Sequence, residues 1–199
     1  DVESRGLGDV YKRQGYGIAK YDNPEELSVS DRNNIGYQYT DCPLYWISVI
    51  YLNFAEAKAE MGSLTQDDLN NSINKLQARA GLPAMTTTPD ADPANNMGVS
   101  NLIWEIRRCR RCELIMDNWY RYWDLIRWHQ LDKLDSTKYP NTMLGANVSN
   151  VPDCEEATKN GYIDASDAQI RTYEAKHYFY PIPTTQLTLN KNMKQNPGW

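Results

Sequence analysis

Two amphipathic stretches separated by one glycine turn constrain this chain more than any other feature. Leu44, Ile47, Ile50, Tyr51, Phe54 and Ala55 recur at spacings of three and four, the period that gathers side chains on one face of a helix. The helix is expected to begin near Pro43, a residue suited to the first helical position, with Asp41 or Cys42 at the cap. Gly62 is expected to end it. Thr65 followed by Asp68 reads as a capping box that opens a second helix. Its apolar stripe is Leu69, Ile73, Leu76 and Ala80, and Gly81 and Pro83 stop it.

Ala55, Ala57 and Ala59 allow a neighbouring helix to come close. An antiparallel pair spanning 43–81 has about the size of one tetratricopeptide unit. A single pair cannot bury its own apolar face, so it must stack on more structure. Upstream repeats are expected to supply that surface.

Beyond the pair, Ser100 can cap a third helix reaching roughly Asp117, and a further helical piece is expected over 121–134. Residues 86–96 read as a loop, and 135–176 as a polar insert or surface loop without periodicity. Residues 178–183 (YFYPIP) are expected to be extended, because each proline disfavours helix in the residue before it. Residues 15–21 (GYGIAKY) alternate enough for one short strand. Residues 1–14 (DVESRGLGDVYKRQ) resemble translated sequencing-adapter read-through. They are treated as a non-native leader, which leaves 15–199 as one domain, with targeting signals expected upstream and a natural end at Gly198-Trp199.

Composition excludes several functions. The net charge of -5, from 21 basic and 26 acidic residues, gives no cationic surplus for a nucleic-acid backbone. No apolar run approaches the length of a transmembrane helix. Cys109 and Cys112 form a C-x-x-C inside a helical pattern, without the second pair or the histidines that a zinc site would need. His129 and His177 stand alone. No metal or cofactor is expected, and the redox state of the cysteines, Cys42 and Cys154 included, stays open. The aromatics are 14 Tyr and 6 Trp against 2 Phe. Such rings suit wet binding surfaces and sugar stacking. Trp104, Trp119 and Trp123 are nevertheless assigned to the core, because they recur at helical spacing among apolar residues.

The densest constellation is Arg110, Glu113, Asp117, Arg121, Asp124, Arg127 and Trp128. Steps of three or four would place Arg110, Glu113, Asp117, Arg121, Asp124 and Trp128 on one stripe of alternating sign if helical geometry ran through. The surrounding Trp and Leu favour a partly buried ion network over a solvated face. Glu113 and Asp117 also allow a glycosidase-like carboxylate pair. Neighbouring arginines would hold those carboxyls too acidic for a general acid. An enzyme is therefore not expected from these residues.

The residues now support a resemblance. VIYLNFAEAKAEMG (49–62) with SINKLQARAGLP (72–83), RRCRRCELIMDNWYRYWDLIRW (107–128), and YFYPIP with LTLNKNMKQNPGW (187–199) resemble, in order, segments of the SusD/RagB family; GYGIAKY fits the strand before them. The resemblance implies a mainly α fold of tetratricopeptide-like pairs with long loops and minor β structure. It implies a lipid-anchored protein on the outer-membrane surface that captures an oligosaccharide or polysaccharide. It further implies a SusC-like TonB-dependent transporter as partner, over which the protein acts as a lid. The lipid anchor is expected upstream, and no glycan-contacting residue is carried over. A tetratricopeptide-like scaffold that binds only protein is the alternative.

Three departures stand out. Trp46 and Val49 occupy positions where the family often has an Arg–Glu pair. Cys109 replaces a Glu, so Arg110 or Arg111 needs another acid, with Glu113 or Asp117 expected. The Asp117–Arg121 spacing is slightly longer than the commonest family form.

Overall fold

The computed structural model describes residues 20, 28–32, 44–117, 119–151, 158–165 and 169–199. The strand expected over 15–21 falls outside them except for Lys20, as do the cap at Asp41 or Cys42, Pro43 and Cys154. The chain forms two compact units, Pro43–Trp128 and a second made of Asp1–Cys42 with His129–Trp199.

A single helical turn, α1 (Val29–Arg32), comes first and belongs to the second unit. The unit spanning 43–128 contains α2 (Ile47–Glu60), α3 (Gln66–Asn70), α4 (Ile73–Arg79), α5 (Asn101–Glu113) and α6 (Tyr120–Arg127). Its core is Val49, Leu52, Ala55, Leu69, Ile73, Leu76, Met85, Ile106 and Leu114, with Trp46 packed against it. Trp46 and Val49 thus occupy the core as an apolar pair, which a fold accepts in place of two charges.

Three expectations about the first pair change. The helix begins at Ile47 rather than near Pro43. Its buried face is Ser48, Val49, Leu52, Ala55 and Glu56, whereas Leu44, Ile47, Ile50 and Phe54 are exposed. Apolar residues occur on both sides of α2, so periodicity alone does not select the side that carries the buried Glu56. The second helix is two. Thr65 and Asp68 form the expected capping box, with Asp68 N–H donating to Thr65 Oγ1 at 3.1 Å and Thr65 N–H to Asp68 Oδ2 at 2.9 Å. The helix then breaks at Asn71 and Ser72 and restarts as α4. Leu69, Ile73 and Leu76 remain buried across the break, while Ala80 is exposed. Both helix-ending glycines, Gly62 and Gly81, adopt the left-handed conformation, at φ 67° and 68°, where a side chain would be strained.

The long α4–α5 connection is tied down by Asn74. Its amide accepts from the Met85 N–H at 2.7 Å and donates to the Met85 carbonyl at 3.1 Å. Ser100 caps α5 as expected, accepting from the Ile103 N–H at 3.3 Å. The face of α2 that a lone pair could not bury is covered within this unit, chiefly by α5.

The second unit corrects the reading of 135–176 as structureless. After 3-10 turns at Leu131–Leu134 and Pro140–Met143 come β1 (Leu144–Asn147), β2 (Thr158–Lys159) and β3 (Tyr162–Asp164). They form an antiparallel sheet of order β1-β3-β2. Asn160 and Gly161, at φ 54° and 78°, make the two-residue turn joining β2 and β3. Asn-Gly is the strongest short hairpin signal; it was present in the sequence and was missed. A cavity of about 540 Å³ opens beside the sheet, lined by Ser136, Thr137, Lys159 and Asp164 among others. Of the segment 178–183 expected to be extended, Tyr178 closes a 3-10 turn (Ala175–Tyr178) and 179–183 run without helix; α7 (Thr184–Leu189) follows.

The YFYPIP and QNPGW segments clasp each other. The Gln195 side chain accepts from the Ile182 N–H at 2.8 Å and donates to the Ile182 carbonyl at 2.9 Å. It thereby acts as a strand partner for a segment that proline keeps out of helix. Asn196 Nδ2 donates to the Tyr180 carbonyl, and Trp199 Nε1 to that of Phe179.

Two substitutions test these locks. Thr65→Ala removes the cap of α3 and is expected to cost about 1 kcal/mol in urea unfolding. Gln195→Ala leaves both Ile182 backbone groups without their partner. It is expected to cost about 1–2 kcal/mol and to speed proteolysis between 179 and 189.

Candidate functional site

The ion network of the helical unit centres on a residue that periodicity did not select. Glu56 sits on the buried side of α2 and gathers three donors. Trp128 Nε1 donates to Oε1 at 2.6 Å, Arg107 Nε donates to the same oxygen at 3.1 Å, and Arg127 Nη2 donates to Oε2. Arg107 also reaches Glu60 at 3.1 Å. Both guanidiniums lie over the Trp128 ring, Arg107 at 4.6 Å and Arg127 at 4.7 Å from its centroid. A carboxylate out of water needs such compensation. Burial alone pushes the Glu56 carboxyl up. The hydrogen bonds and charge of Arg127, the Trp128 N–H and the charge of Arg107 outweigh burial and hold it below its usual value.

Asp124 is the second node. Arg110 Nε donates to its Oδ2 at 2.7 Å and Arg127 Nε to its Oδ1 at 2.9 Å. The Arg110 and Asp124 side chains are only 5% and 6% exposed, so each needs an opposite charge and hydrogen bonds in place of water. Arg110 spends a further N–H on Asn53, at 2.8 Å. Arg127 therefore links the two nodes, and the network joins α2, α5 and α6.

Against the seven residues singled out from sequence, the outcome is mixed. Arg110, Asp124, Arg127 and Trp128 are brought together. The acid for Arg110 is Asp124, not Glu113 or Asp117. Glu113 instead binds Arg79 of α4, Nη2 to Oε1 at 2.7 Å. Asp117 is buried at the corner between α5 and α6. Arg121 is half-buried, and among the described residues no carboxylate bridges to it. The continuous stripe fails because the helix does not run through: α5 ends at Glu113 and α6 starts at Tyr120, with Met116 and Trp119 in the left-handed region.

Trp119 and Trp123 are exposed rather than core, another correction. Glu56, Arg107 and Asn53 were missed. One signal for Glu56 was available: it is an acid between Ala55 and Ala57, on a helix whose small residues invite close approach.

Cys109 and Cys112 are free thiols on α5. Burial, followed by the nearby Glu113, pushes the Cys109 thiol up to about 12. It is therefore protonated at neutral pH, unlike a reactive or metal-binding thiolate.

The sequence profile described as the SusD family matches residues 8–199. This chain belongs to the SusD family. Solved structures share its fold. One is named BT4246, with a TM-score of 0.56 and 24% identity, covering 78% of this chain and 23% of that one. Another is a SusD-like protein (BF3747) from Bacteroides fragilis NCTC 9343, with a TM-score of 0.52 and 24% identity, covering 76% of this chain and 25% of that one. This SusD-family chain thus spans about a quarter of the length of these relatives. No curated protein matches it.

Removing Glu56 takes the shared carboxylate from Arg107 and Arg127 and leaves them only Glu60 and Asp124. Glu56→Gln is expected to cost about 3 kcal/mol or more of unfolding free energy. A carboxyl held below its usual value of 4.5 stabilises the fold fully above that pH, and the stabilisation is lost as pH falls through the folded-state value. Wild-type stability is therefore expected to fall below about pH 4.5. Denaturant melts across pH should show a shallower acid limb in Glu56→Gln.

Proposed function

We propose that this chain is part of a nutrient-capture protein at the bacterial cell surface. It binds an oligosaccharide or polysaccharide and passes it to a SusC-like TonB-dependent transporter, over which it acts as a lid. In this reading residues 15–199 are the C-terminal part of such a protein, held at the outer membrane by a lipid anchor carried elsewhere in the polypeptide. The family match over 8–199 carries the proposal. The network supports it by its character. Its carboxylates are held by arginine and tryptophan within the core and serve to fix helices, as a binding scaffold requires. Glu113, the acid that a hydrolase reading would use, is engaged by Arg79. The ligand is bound and not cleaved.

A second reading, a scaffold that binds only protein, draws on the exposed apolar residues Ile47, Ile50 and Phe54 of α2, with Leu44 just before it. Contiguous apolar surface of that kind marks interaction sites.

Affinity electrophoresis of the intact gene product through gels containing amylopectin, yeast mannan, xylan or polygalacturonate separates the two. Glycan capture predicts retardation by at least one polymer with no release of reducing ends. Retardation by none, together with co-purification of a barrel protein, would favour the scaffold. Release of reducing ends by pure protein would show that the chain does chemistry on its ligand.

A further inference from the structure

The stretch 135–176 reads in sequence as a polar surface insert, yet it surrounds a cavity of about 540 Å³. That volume lies within the range of about 300–1,000 Å³ common to small-molecule sites. One wall is braced from within. The buried Asp135 carboxylate accepts the Thr137 N–H at 2.9 Å through Oδ1 and the Tyr173 N–H at 3.1 Å through Oδ2. Beside it, the Ser136 N–H donates to the Arg171 carbonyl at 2.8 Å, and the Arg171 N–H donates to Ser136 Oγ at 2.9 Å. Residues 135–137 and 171–173 are thus held side by side, and Gln169 and Ile170 on the cavity rim lead into them. A wall fixed by its own hydrogen bonds needs little further ordering when a ligand enters.

The sheet supplies the facing side. Leu144 pairs with Asp164, and Lys159 with Tyr162. Cross-strand partners share a face of a sheet, as do residues two apart on one strand. The register therefore puts Leu144, Lys159 and Asp164 on one face, and all three line the cavity. Among the described lining residues, Lys159 and Asp164 contribute one charge of each sign, while Thr137 and Gln169 add a hydroxyl and an amide. Pro140, Met143 and Leu144 add aliphatic surface. A strongly charged ligand would meet its own sign there as well as the opposite one. A ring with hydroxyls on its edge and C–H groups on its faces meets both parts of the lining. Its hydroxyls donate to Asp164 and accept from Lys159 and Gln169, and its C–H faces lie on Met143 and Leu144.

We propose that the cavity between this sheet and the braced wall of 135–137 and 169–171 binds a neutral sugar unit of an oligosaccharide. Asp164, Lys159 and Gln169 hold its hydroxyls. The inference rests on the glycan-capture reading and adds to it a site, its contacts and the preference for an uncharged sugar.

The intact gene product titrated with maltotriose, mannotriose, xylotriose and trigalacturonate tests this. At least one neutral trisaccharide is expected to bind, to bind more tightly than trigalacturonate, and to slow amide hydrogen exchange in 135–144 and 158–171. Asp164→Asn and Lys159→Ala should each weaken it by about tenfold, the scale of one hydrogen bond to a charged group. Gln169→Ala should weaken it by about fivefold. Added NaCl should leave the affinity nearly unchanged, because the lining holds one charge of each sign. Lys159 and Gln169 are exposed, so their variants should melt like wild type and keep the test decisive if Asp164→Asn unfolds. Trisaccharide binding that survives both Lys159→Ala and Gln169→Ala, or that leaves exchange in those segments unchanged, overturns the cavity site and leaves glycan capture standing. Tighter binding of trigalacturonate overturns the neutral-sugar assignment. Binding of no trisaccharide overturns the cavity site, while retardation in the polymer gels decides glycan capture by itself.

Discussion

Glu56 is a carboxylate on the buried side of α2, and three elements of the helical unit are oriented by what it accepts. Trp128 reaches it from the end of α6, Arg127 from the last turn of α6, and Arg107 from the middle of α5. Because the carboxylate is out of water, only arrangements that deliver these donors together are tolerated. Buried ion pairs add little net stability compared with apolar packing, but they penalise every misaligned register. The packing of Leu52, Ile73 and Ile106 supplies attraction without direction. Glu56 and Asp124 supply the direction.

The same constraint leaves the rest of the unit freer. Trp46 and Val49 belong to the apolar core and carry no charge that needs a partner. Cys109 supplies no acid to the network, and Asp124 holds Arg110. The chain between Glu113 and Tyr120 leaves helical geometry outside the turns that present Arg110 and Asp124.

Legibility in the sequence followed the range of the interactions. The Thr65–Asp68 capping box, the Ser100 cap and the terminating glycines were readable because each is settled within a few residues. So was the extended YFYPIP segment, since proline acts on its immediate neighbour. Asn160-Gly161 is equally local, although the polar residues around it hide the short strands it joins. The buried face of α2 was not readable. A glutamate counts as outward-facing until arginines 51 and 71 positions away are known to meet it. The continuous Arg–acid stripe failed for the same kind of reason, since residues between Glu113 and Tyr120 leave helical geometry.

The sequence by itself determined the helical class, most caps and stops, and, through ordered motifs, membership of the SusD family. These depend on local backbone preferences and on patterns that survive without three-dimensional context. Only the tertiary structure decided which side of α2 is core, that Asp124 serves Arg110, that Gln195 pairs with Ile182, and that Trp119 and Trp123 face solvent. Each of those outcomes is a competition between distant partners for one buried charge, one backbone group or one apolar face. Spacing along the chain carries no information about which partner arrives.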